Sequence, residues 1–240
     1  MPRLTHVTFT GVDGRTDLDR LKAIAARYPF AEFGILMSKS ADLDQNRFPD
    51  VIPILKGLDR SGVRLSAHLC GRLARDIVRT GEFGDFKRAC GIRSDLFSRC
   101  QLNVAGVGIE DPTRFLWFPS TMKQIIVQQS SREVFSEERE SLFDHFAYYN
   151  PLCSLLMDDS GGRGKRGRLR IANAPVVGYA GGIGPDNVSE ILGELLDAEK
   201  VRDFWIDMES GVRTDNWFDL DKVEEVCARV EETLNERKAA

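Results

Sequence analysis

Residues 176–187 of the chain read VVGYAGGIGPDN. The apolar run ends at Gly181 and Gly182, and the following Pro-Asp-Asn opens a helical pattern. This order predicts a strand, a tight turn and a helix that begins near Pro185. A helix N-terminus with unshielded backbone N–H groups nearby favours an anion, most often a phosphate. We therefore expect the amides of Gly181 and Gly182 to bind phosphate.

A second turn of the same kind follows in the stretch WIDMESGVR at 205–213. Its polar and small residues close another apolar run; they are Asp207, Glu209, Ser210 and Gly211. Two adjacent strand-to-helix turns near the C-terminus are typical of the phosphate site of a β/α barrel, so Ser210 and Gly211 join the predicted site. Two observations leave alternatives open. The glycines can serve only as tight corners, and Glu209 would repel a phosphate unless its carboxylate points away.

Strand-like and helix-like patterns alternate along the chain. Apolar runs and period-two alternation predict eight strands, at 6–10, 32–37, 63–69, 101–105, 123–128, 152–157, 176–180 and 204–208. Helical spacing predicts helices between them, at 17–27, 51–58, 71–80, 86–99, 112–117, 136–146, 185–196 and 220–234. Residues 160–174 are too few for a loop and a full helix, so the sixth helix is expected to be short or missing. Strands joined by helices are parallel, and eight such units in 240 residues predict an α/β fold, a single (β/α)8 TIM barrel, as one domain over 1–240.

Bulk composition narrows the class of protein. The net charge of −4 gives no global basic field to recruit nucleic acid, and no apolar run is long enough to span a membrane. The basic run 163–170 has no aromatic residues to stack bases and is expected to be a solvated loop. The five cysteines are widely spaced without a CxxC pair, which argues against a zinc knuckle or a disulfide framework. We expect a cytoplasmic protein with reduced thiols; its oligomeric state cannot be read from the sequence.

In a β/α barrel the carboxyl ends of the strands face the active site. The candidates at those ends, besides the two glycine turns, are Thr10, Lys39, Cys70, Asn103, Gln128, Asp158 and Asp207. Alternation along the third strand also places His68 on the lumen side with Cys70. Each has an alternative role. Asp158 is a proton donor or a helix cap, and His68 is a base, a metal ligand or a hydrogen-bonded core residue. Lys39 forms a Schiff base only if desolvated, and its serine neighbours indicate a wet loop.

Several collinear motifs resemble the phosphoribosylanthranilate isomerases, β/α-barrel enzymes of tryptophan biosynthesis. They are GVDGRTDLDRL at 11–21, FGILMSKS at 33–40, LLMDDSGGRGK at 155–165, YAGGIGPDNVSEIL at 179–192 and IDMESGVRTDNWFDLDKV at 206–223. The last two are the specific ones. The resemblance implies isomerisation of an aminoaldose phosphate to an aminoketose phosphate by a general acid and a general base. It assigns the acid to Asp158, and the phosphate amides to Gly181, Gly182, Ser210 and Gly211.

The resemblance also exposes departures from the family. The family's base is a cysteine that ends the first strand, and Thr10 stands there in this chain. A threonine hydroxyl cannot match a thiol as a base. The family's arginine for the anthranilate carboxylate follows the second strand, where Arg47 is the only arginine in a longer loop. Lys39, Asn103, Gln128 and Asp207 complete the expected substrate contacts.

Three functional hypotheses follow. The first is a divergent isomerase acting on a phosphorylated sugar derivative without a cofactor, with Asp158 as acid and Cys70 or His68 as a substitute base. The second is a metal-dependent sugar-phosphate epimerase, since SAHLCG at 66–71 slightly resembles a strand of that class. The chain offers only His6, His68 and His145 as imidazole ligands. The third is a barrel that binds a phosphorylated ligand and has lost turnover, as the missing cysteine suggests.

Overall fold

Eight parallel strands close into a barrel in chain order, and the last strand pairs with the first. The computed structural model describes residues 2–39, 46–104, 124–130, 143, 147–148, 153–158, 160, 170–171, 176–198 and 203–239. The barrel strands are β1 (Arg3–Thr10), β2 (Ala31–Met37), β3 (Leu65–Leu69), β4 (Phe97–Leu102), β5 (Gln124–Gln129), β6 (Cys153–Asp158), β7 (Val176–Ala180) and β8 (Asp203–Met208). The predicted α/β barrel is confirmed.

The helices cover the outer face of the barrel. Those described are α1 (Leu18–Arg27), α2 (Val51–Leu58), α3 (Gly71–Thr80), α4 (Gly84–Cys90), α5 (Val188–Asp197) and α6 (Leu220–Ala239). Local sequence sets several of their ends. Asp17 caps α1 by accepting from the amides of Asp19 and Arg20, and Gly81 ends α3 in a left-handed conformation. None of the described helices is long and apolar enough to cross a membrane.

Period-two alternation divides the strand residues between two environments. Outward side chains such as Phe9, Phe33 and Ile35 pack with the helices into the main apolar core. Inward side chains fill the lumen, where Ile126, Leu156 and Trp205 form a separate apolar cluster. Many of the remaining lumen positions are polar, so the barrel interior holds buried charges and hydrogen-bonding groups.

The segment predicted as one helix over 86–99 is divided in the structure. Helix α4 ends before Gly91, which has a φ of 61°, and a 3-10 turn spans Gly91–Leu96. Residues from Phe97 onward belong to β4, since Phe97 pairs with Leu65 of β3. Tertiary strand pairing therefore overrides a helical pattern that looked continuous in the sequence.

Smaller differences lie at other element ends. Strand β3 begins at Leu65 rather than at residue 63, and α5 begins at Val188 rather than near Pro185. Between β8 and α6 the chain forms a 3-10 turn, Ser210–Val212, and an unpredicted hairpin of β9 (Arg213–Thr214) and β10 (Trp217–Phe218). The predicted helix at 112–117 lies outside the described residues. So do the predicted helix at 136–146 and the segment of the short sixth helix, apart from residues 143, 160 and 170–171.

Candidate active site at the carboxyl ends of the strands

A cavity of about 630 Å³ opens at the carboxyl ends of the barrel strands. Most of the predicted site residues line it: Thr10, Arg47, His68, Cys70, Asn103, Gln128, Asp158, Gly181, Gly182, Asp207 and Ser210. The sequence analysis did not single out six further polar residues of the lining, which are Gln101, Gln129, Ser130, Ser160, Arg213 and Asn216. Two predicted residues are not part of this lining. Gly211 lines a smaller neighbouring pocket beyond the second glycine turn, and Lys39 lies elsewhere.

Thr10 and Asp207 form a buried polar contact in the cavity. The hydroxyl of Thr10 donates to Asp207 Oδ1 at 2.8 Å and lies 3.4 Å from His68 Nδ1. The same His68 nitrogen is 3.9 Å from Asp207 Oδ2. Gly34 makes room for this group, because a Cβ there would lie 2.7 Å from Thr10 Oγ1 and 2.9 Å from His68 Nε2.

Burial changes the ionisation of both titratable members of this group. Desolvation raises the pKa of Asp207 to about 8, although the Thr10 hydrogen bond and the charge of Arg99 oppose the shift. Desolvation lowers the pKa of His68 to about 3, and the positive charge of Arg99 adds to the effect. His68 is therefore neutral at physiological pH, and one of its ring nitrogens remains an acceptor.

A buried ion pair lies in the lumen beside this group. The Arg99 guanidinium is 3.3 Å from Glu32 Oε1, and both side chains are nearly inaccessible to solvent. Thr8 donates to the same Glu32 oxygen at 3.0 Å, and Arg99 stacks over the Trp205 ring at 4.3 Å. Burial lowers the pKa of Arg99. The alternation of β2 and β4 places these charges in the lumen, where they contribute to the field around Asp207.

Cys70 belongs to a short hydrogen-bonded chain along one wall. Asn103 donates from Nδ2 to Cys70 Sγ at 3.2 Å and accepts from Gln101 Nε2 at 2.9 Å. Desolvation raises the pKa of Cys70 to about 11, against the smaller opposing effect of Asn103. The group is therefore a thiol at neutral pH, which disfavours Cys70 as a nucleophile or base.

Asp158 ends β6 on the opposite side of the cavity. Gln128 donates to its Oδ2 at 2.6 Å, and the amide and hydroxyl of Ser160 donate to its Oδ1 at 2.9 and 2.6 Å. The strand end, a side-chain amide from β5 and the loop after β6 thus fix the carboxylate. Asp158 lines the cavity, so its carboxylate can be reached by a bound ligand.

The two glycine turns touch each other at the cavity mouth. A Cβ on Gly211 would lie only 2.0 Å from Ile183 O, so the second turn packs directly on the backbone of the first. Asn187 braces the first turn, since its Nδ2 donates to Gly182 O at 2.8 Å and its Oδ1 accepts from Gly184 N at 3.0 Å. Among the described residues, no acceptor is found for the amides of Gly181, Gly182, Ser210 and Gly211.

Two arginines shape the rest of the mouth. Arg47 donates from Nε and Nη2 to the Glu209 carboxylate at 2.5 and 3.0 Å. The pair offsets the negative charge that would oppose a phosphate at the second turn. Arg213 is buried and donates to the carbonyls of Gly11 and Asn216, at 3.2 and 2.8 Å. No sequence motif indicated Arg213, because its role depends on the unpredicted hairpin.

Lys39 and the histidines outside the cavity have other surroundings. Lys39 is paired with Asp76 at 2.6 Å and with Asp85, between the β2 end and the helices α3 and α4. His6 lies toward the start of β1, and burial lowers its pKa to about 3. Within the part of the chain that the structure describes, no three His, Cys, Asp or Glu side chains cluster as metal ligands. His145 lies outside that part.

Comparisons with known proteins agree with the fold. No protein-family model matches the chain, and no curated protein matches its sequence. N-(5'-phosphoribosyl)anthranilate isomerase from Pyrococcus furiosus is similar in structure, with a TM-score of 0.58, 17% identity, and coverage of 95% of this chain and 99% of that one. The phosphoribosyl anthranilate isomerase from Thermus thermophilus gives a TM-score of 0.54 at 18% identity, covering 95% and 98%.

A truncated 3-deoxy-D-arabino-heptulosonate 7-phosphate synthase from Thermotoga maritima gives a TM-score of 0.52 at 9% identity, covering 96% of this chain and 87% of that one. The family resemblance of the sequence motifs is therefore confirmed at the level of the fold. The chain has the β/α-barrel fold found in the phosphoribosylanthranilate isomerases.

Proposed function

We propose that the chain is a divergent isomerase that moves a proton within a phosphorylated sugar derivative. One observation carries the proposal: a single cavity is lined by Gly181, Gly182 and Ser210 of the two turns and by two carboxyl side chains at strand ends, Asp158 and Asp207. An anion site at one end and proton-transfer groups at the other are what an aldose-to-ketose rearrangement of a phosphorylated substrate requires.

The phosphate end of the site rests on backbone geometry. The amides of Gly181, Gly182, Ser210 and Gly211 have no described protein acceptor, and the contact between Gly211 and Ile183 holds the two turns together. Backbone N–H groups of this kind bind phosphate oxygens without a charged side chain. Because Arg47 engages Glu209, the nearby carboxylate opposes an anion less than the sequence suggested.

Asp158 is the proposed general acid. It stands at the strand end that the family resemblance assigns to the acid, and Gln128 and Ser160 hold it toward the cavity. The structural neighbours support the substrate class, because their names specify a phosphoribosyl compound.

The family's own substrate fits this chain less well. Thr10 replaces the catalytic cysteine, and Arg47 is tied to Glu209 rather than open to an anthranilate carboxylate. We therefore expect an N-substituted aldosylamine phosphate without that carboxylate to be the better substrate. We also expect the chain not to complement a strain that lacks the tryptophan-pathway isomerase.

A substrate panel tests the proposed function. Inorganic phosphate, ribose 5-phosphate, N-(5'-phosphoribosyl)aniline and N-(5'-phosphoribosyl)anthranilate are tested for binding by calorimetry and for conversion by NMR. We expect all four to bind and the aniline derivative to be converted to its ketose. Asp158→Asn should retain phosphate affinity and lose about 10²-fold or more in rate. Absence of phosphate binding at millimolar concentration would refute the proposal.

A second candidate is a binding barrel without turnover. The observation in its favour is the hydroxyl of Thr10, which is too weak a base to replace the cysteine of the family. In that case the panel would show binding with no chemical change in any ligand. A metal-dependent epimerase would instead require purified protein with bound metal, and activity lost on chelation.

A further inference from the structure

We propose that Asp207 is the general base of this cavity, replacing the missing cysteine, and that Thr10 and His68 are its positioning residues. This inference rests on the proposed function, because it names the second proton-transfer group of the same site. The sequence placed Asp207 only among the substrate contacts and assigned the base to Cys70 or His68. The geometry of three neighbouring strands indicates a different division of roles.

Asp158 and Asp207 lie in the same layer of the barrel. The strand register pairs Asp158 of β6 with Ala180 of β7, and Ala180 with Asp207 of β8. Since neighbouring strands are about 4.8 Å apart, the two backbone positions are separated by roughly 9–10 Å. Of the described residues on this part of the cavity wall, Ala180 lies between them and has a small side chain. A sugar carbon chain therefore fits between the two carboxyl groups.

The contacts of Asp207 leave one of its oxygens open to a substrate. Thr10 donates to Oδ1 at 2.8 Å, so this oxygen is fixed. Among the described residues, Oδ2 accepts no hydrogen bond; the nearest basic nitrogen, His68 Nδ1, is 3.9 Å away. Thr10 occupies the chain position of the family's cysteine, so its hydroxyl brings the Asp207 carboxylate to the place where that base would act.

The groups around Asp207 also give its carboxyl a pKa that suits a general base. The titratable and charged groups around it are Glu32 of β2, His68 of β3, Arg99 of β4 and Glu209 after β8. Asp158 of β6 lies two strands away and lines the same cavity. Burial disfavours the ionised carboxylate of Asp207 more than Thr10 and Arg99 stabilise it, so the pKa of Asp207 rises to about 8. A cysteine thiol titrates at about 8.5. Asp207 thus has nearly the basicity of the residue it replaces.

The proposed step is balanced within the site. Asp158 passes a proton to the ring oxygen of the aldosylamine, and the bond between this oxygen and C1 breaks as the nitrogen lone pair forms C1=N. Asp207 removes the proton from C2; the C–H electrons form C1=C2, and the C1=N pair returns to nitrogen. Asp207 then delivers its proton to C1, and the hydroxyl proton on the C2 oxygen passes to Asp158. Both carboxyl groups regain their starting states, and no oxidant is needed.

The test compares two variants, Asp207→Asn and Asp203→Asn. Asp203→Asn is the matched control, because Asp203 lies at the other end of β8 and pairs with Arg3 at the protein surface. N-(5'-phosphoribosyl)aniline is the probe, and rates are measured from pH 6 to pH 10. We expect the wild-type rate to rise with pH and level off above about 8, because the base must be ionised. Asp207→Asn should lose about 10²-fold or more in kcat, while its dissociation constant for inorganic phosphate and the kcat of Asp203→Asn stay unchanged.

Thr10→Val tests the positioning role independently of rate. Loss of the hydrogen bond to the carboxylate should raise the titration midpoint of the carboxyl band of Asp207 in the infrared spectrum by about one pH unit. Thr10→Ser should keep the wild-type midpoint. The inference is overturned if Asp207→Asn retains the wild-type rate, if the rate falls rather than rises through pH 8, or if Thr10→Val leaves the midpoint unmoved. No conversion of any probe by the wild-type protein would instead refute the proposed function.

Discussion

Thr10 and Asp207 join the first and last strands across the seam of the barrel, with Thr10 Oγ1 donating to Asp207 Oδ1 at 2.8 Å. The contact links the position of the family's missing base to a buried carboxyl group. It also depends on a third strand, because His68 of β3 can approach Thr10 only across the bare Cα of Gly34. The arrangement of the Thr10 and His68 side chains therefore depends on the absence of a Cβ at Gly34.

Gly34→Ala should disturb the Thr10–His68 contact while the anion site stays intact. The new Cβ would lie 2.7 Å from Thr10 Oγ1 and 2.9 Å from His68 Nε2, so at least one of these side chains must move. We expect turnover of the aniline probe to fall about 10-fold or more, with a destabilisation of about 1–3 kcal/mol. Steady-state kinetics and phosphate calorimetry measure the two effects. Gly14→Ala is the control, since its Cβ meets nothing within 4 Å; equal losses in both variants would contradict the prediction.

Cys70 should be dispensable and unreactive. Its pKa of about 11 leaves about 0.1% thiolate at pH 8, so alkylation by iodoacetamide should be about 10²-fold slower than that of free cysteine. Cys70→Ser keeps a hydrogen-bonding atom for Asn103 and should retain most of the wild-type activity. Peptide mass spectrometry follows the alkylation. Rapid alkylation that phosphate blocks, together with an inactive Cys70→Ser, would make Cys70 the base instead.

Gly211→Ala should weaken phosphate binding at the mouth. The added Cβ would lie 2.0 Å from Ile183 O and 2.9 Å from Gly184 Cα, so the two turns must separate. We expect the phosphate dissociation constant to rise about 10-fold, equivalent to about 1.4 kcal/mol. Calorimetry measures this dissociation constant. Gly193→Ala is the control. Gly193 lies in α5, and of the described atoms a Cβ there would approach only Arg237 Nη2, at 3.6 Å. The variant should leave phosphate affinity unchanged and raise helix stability by up to about 1 kcal/mol.

The sequence predicted the barrel because each strand carries its own local signal. The alternation through Ser66, His68 and Cys70 placed side chains in the lumen, and the glycine turns marked the mouth. The boundary at Phe97 was missed because only pairing with Leu65 makes that residue part of a strand. Local periodicity cannot report such a long-range hydrogen-bonded ladder.

The candidate site was less predictable than the fold. Asp207 was recognised as a residue at a strand end, but its altered ionisation depends on burial and on Arg99 and Glu32, which belong to other strands. Likewise, Lys39 stands at a strand end in sequence but pairs with Asp76 of α3. Which partner a charged side chain meets is decided by tertiary packing, and a single sequence does not encode it as a local pattern.

Breaking the buried Glu32–Arg99 pair should lower the stability of the fold. Arg99 is 3% exposed and Glu32 is fully buried, with Arg99 Nη1 3.3 Å from Glu32 Oε1. Arg99→Met would retain an apolar side chain over Trp205 but leave the Glu32 carboxylate without its buried counter-charge. We expect the free energy of unfolding to fall by about 3–5 kcal/mol in urea titrations.

The double variant Glu32→Gln with Arg99→Met separates lost charge pairing from lost packing. The introduced glutamine would keep an acceptor for the Thr8 hydroxyl and remove the unpaired charge, so most of the lost stability should return. Arg93→Met is the surface control, because the Arg93–Asp59 pair is partly exposed and should be worth no more than about 1 kcal/mol. If the double variant is no more stable than Arg99→Met alone, the cost comes from packing around Trp205 rather than from the buried charge.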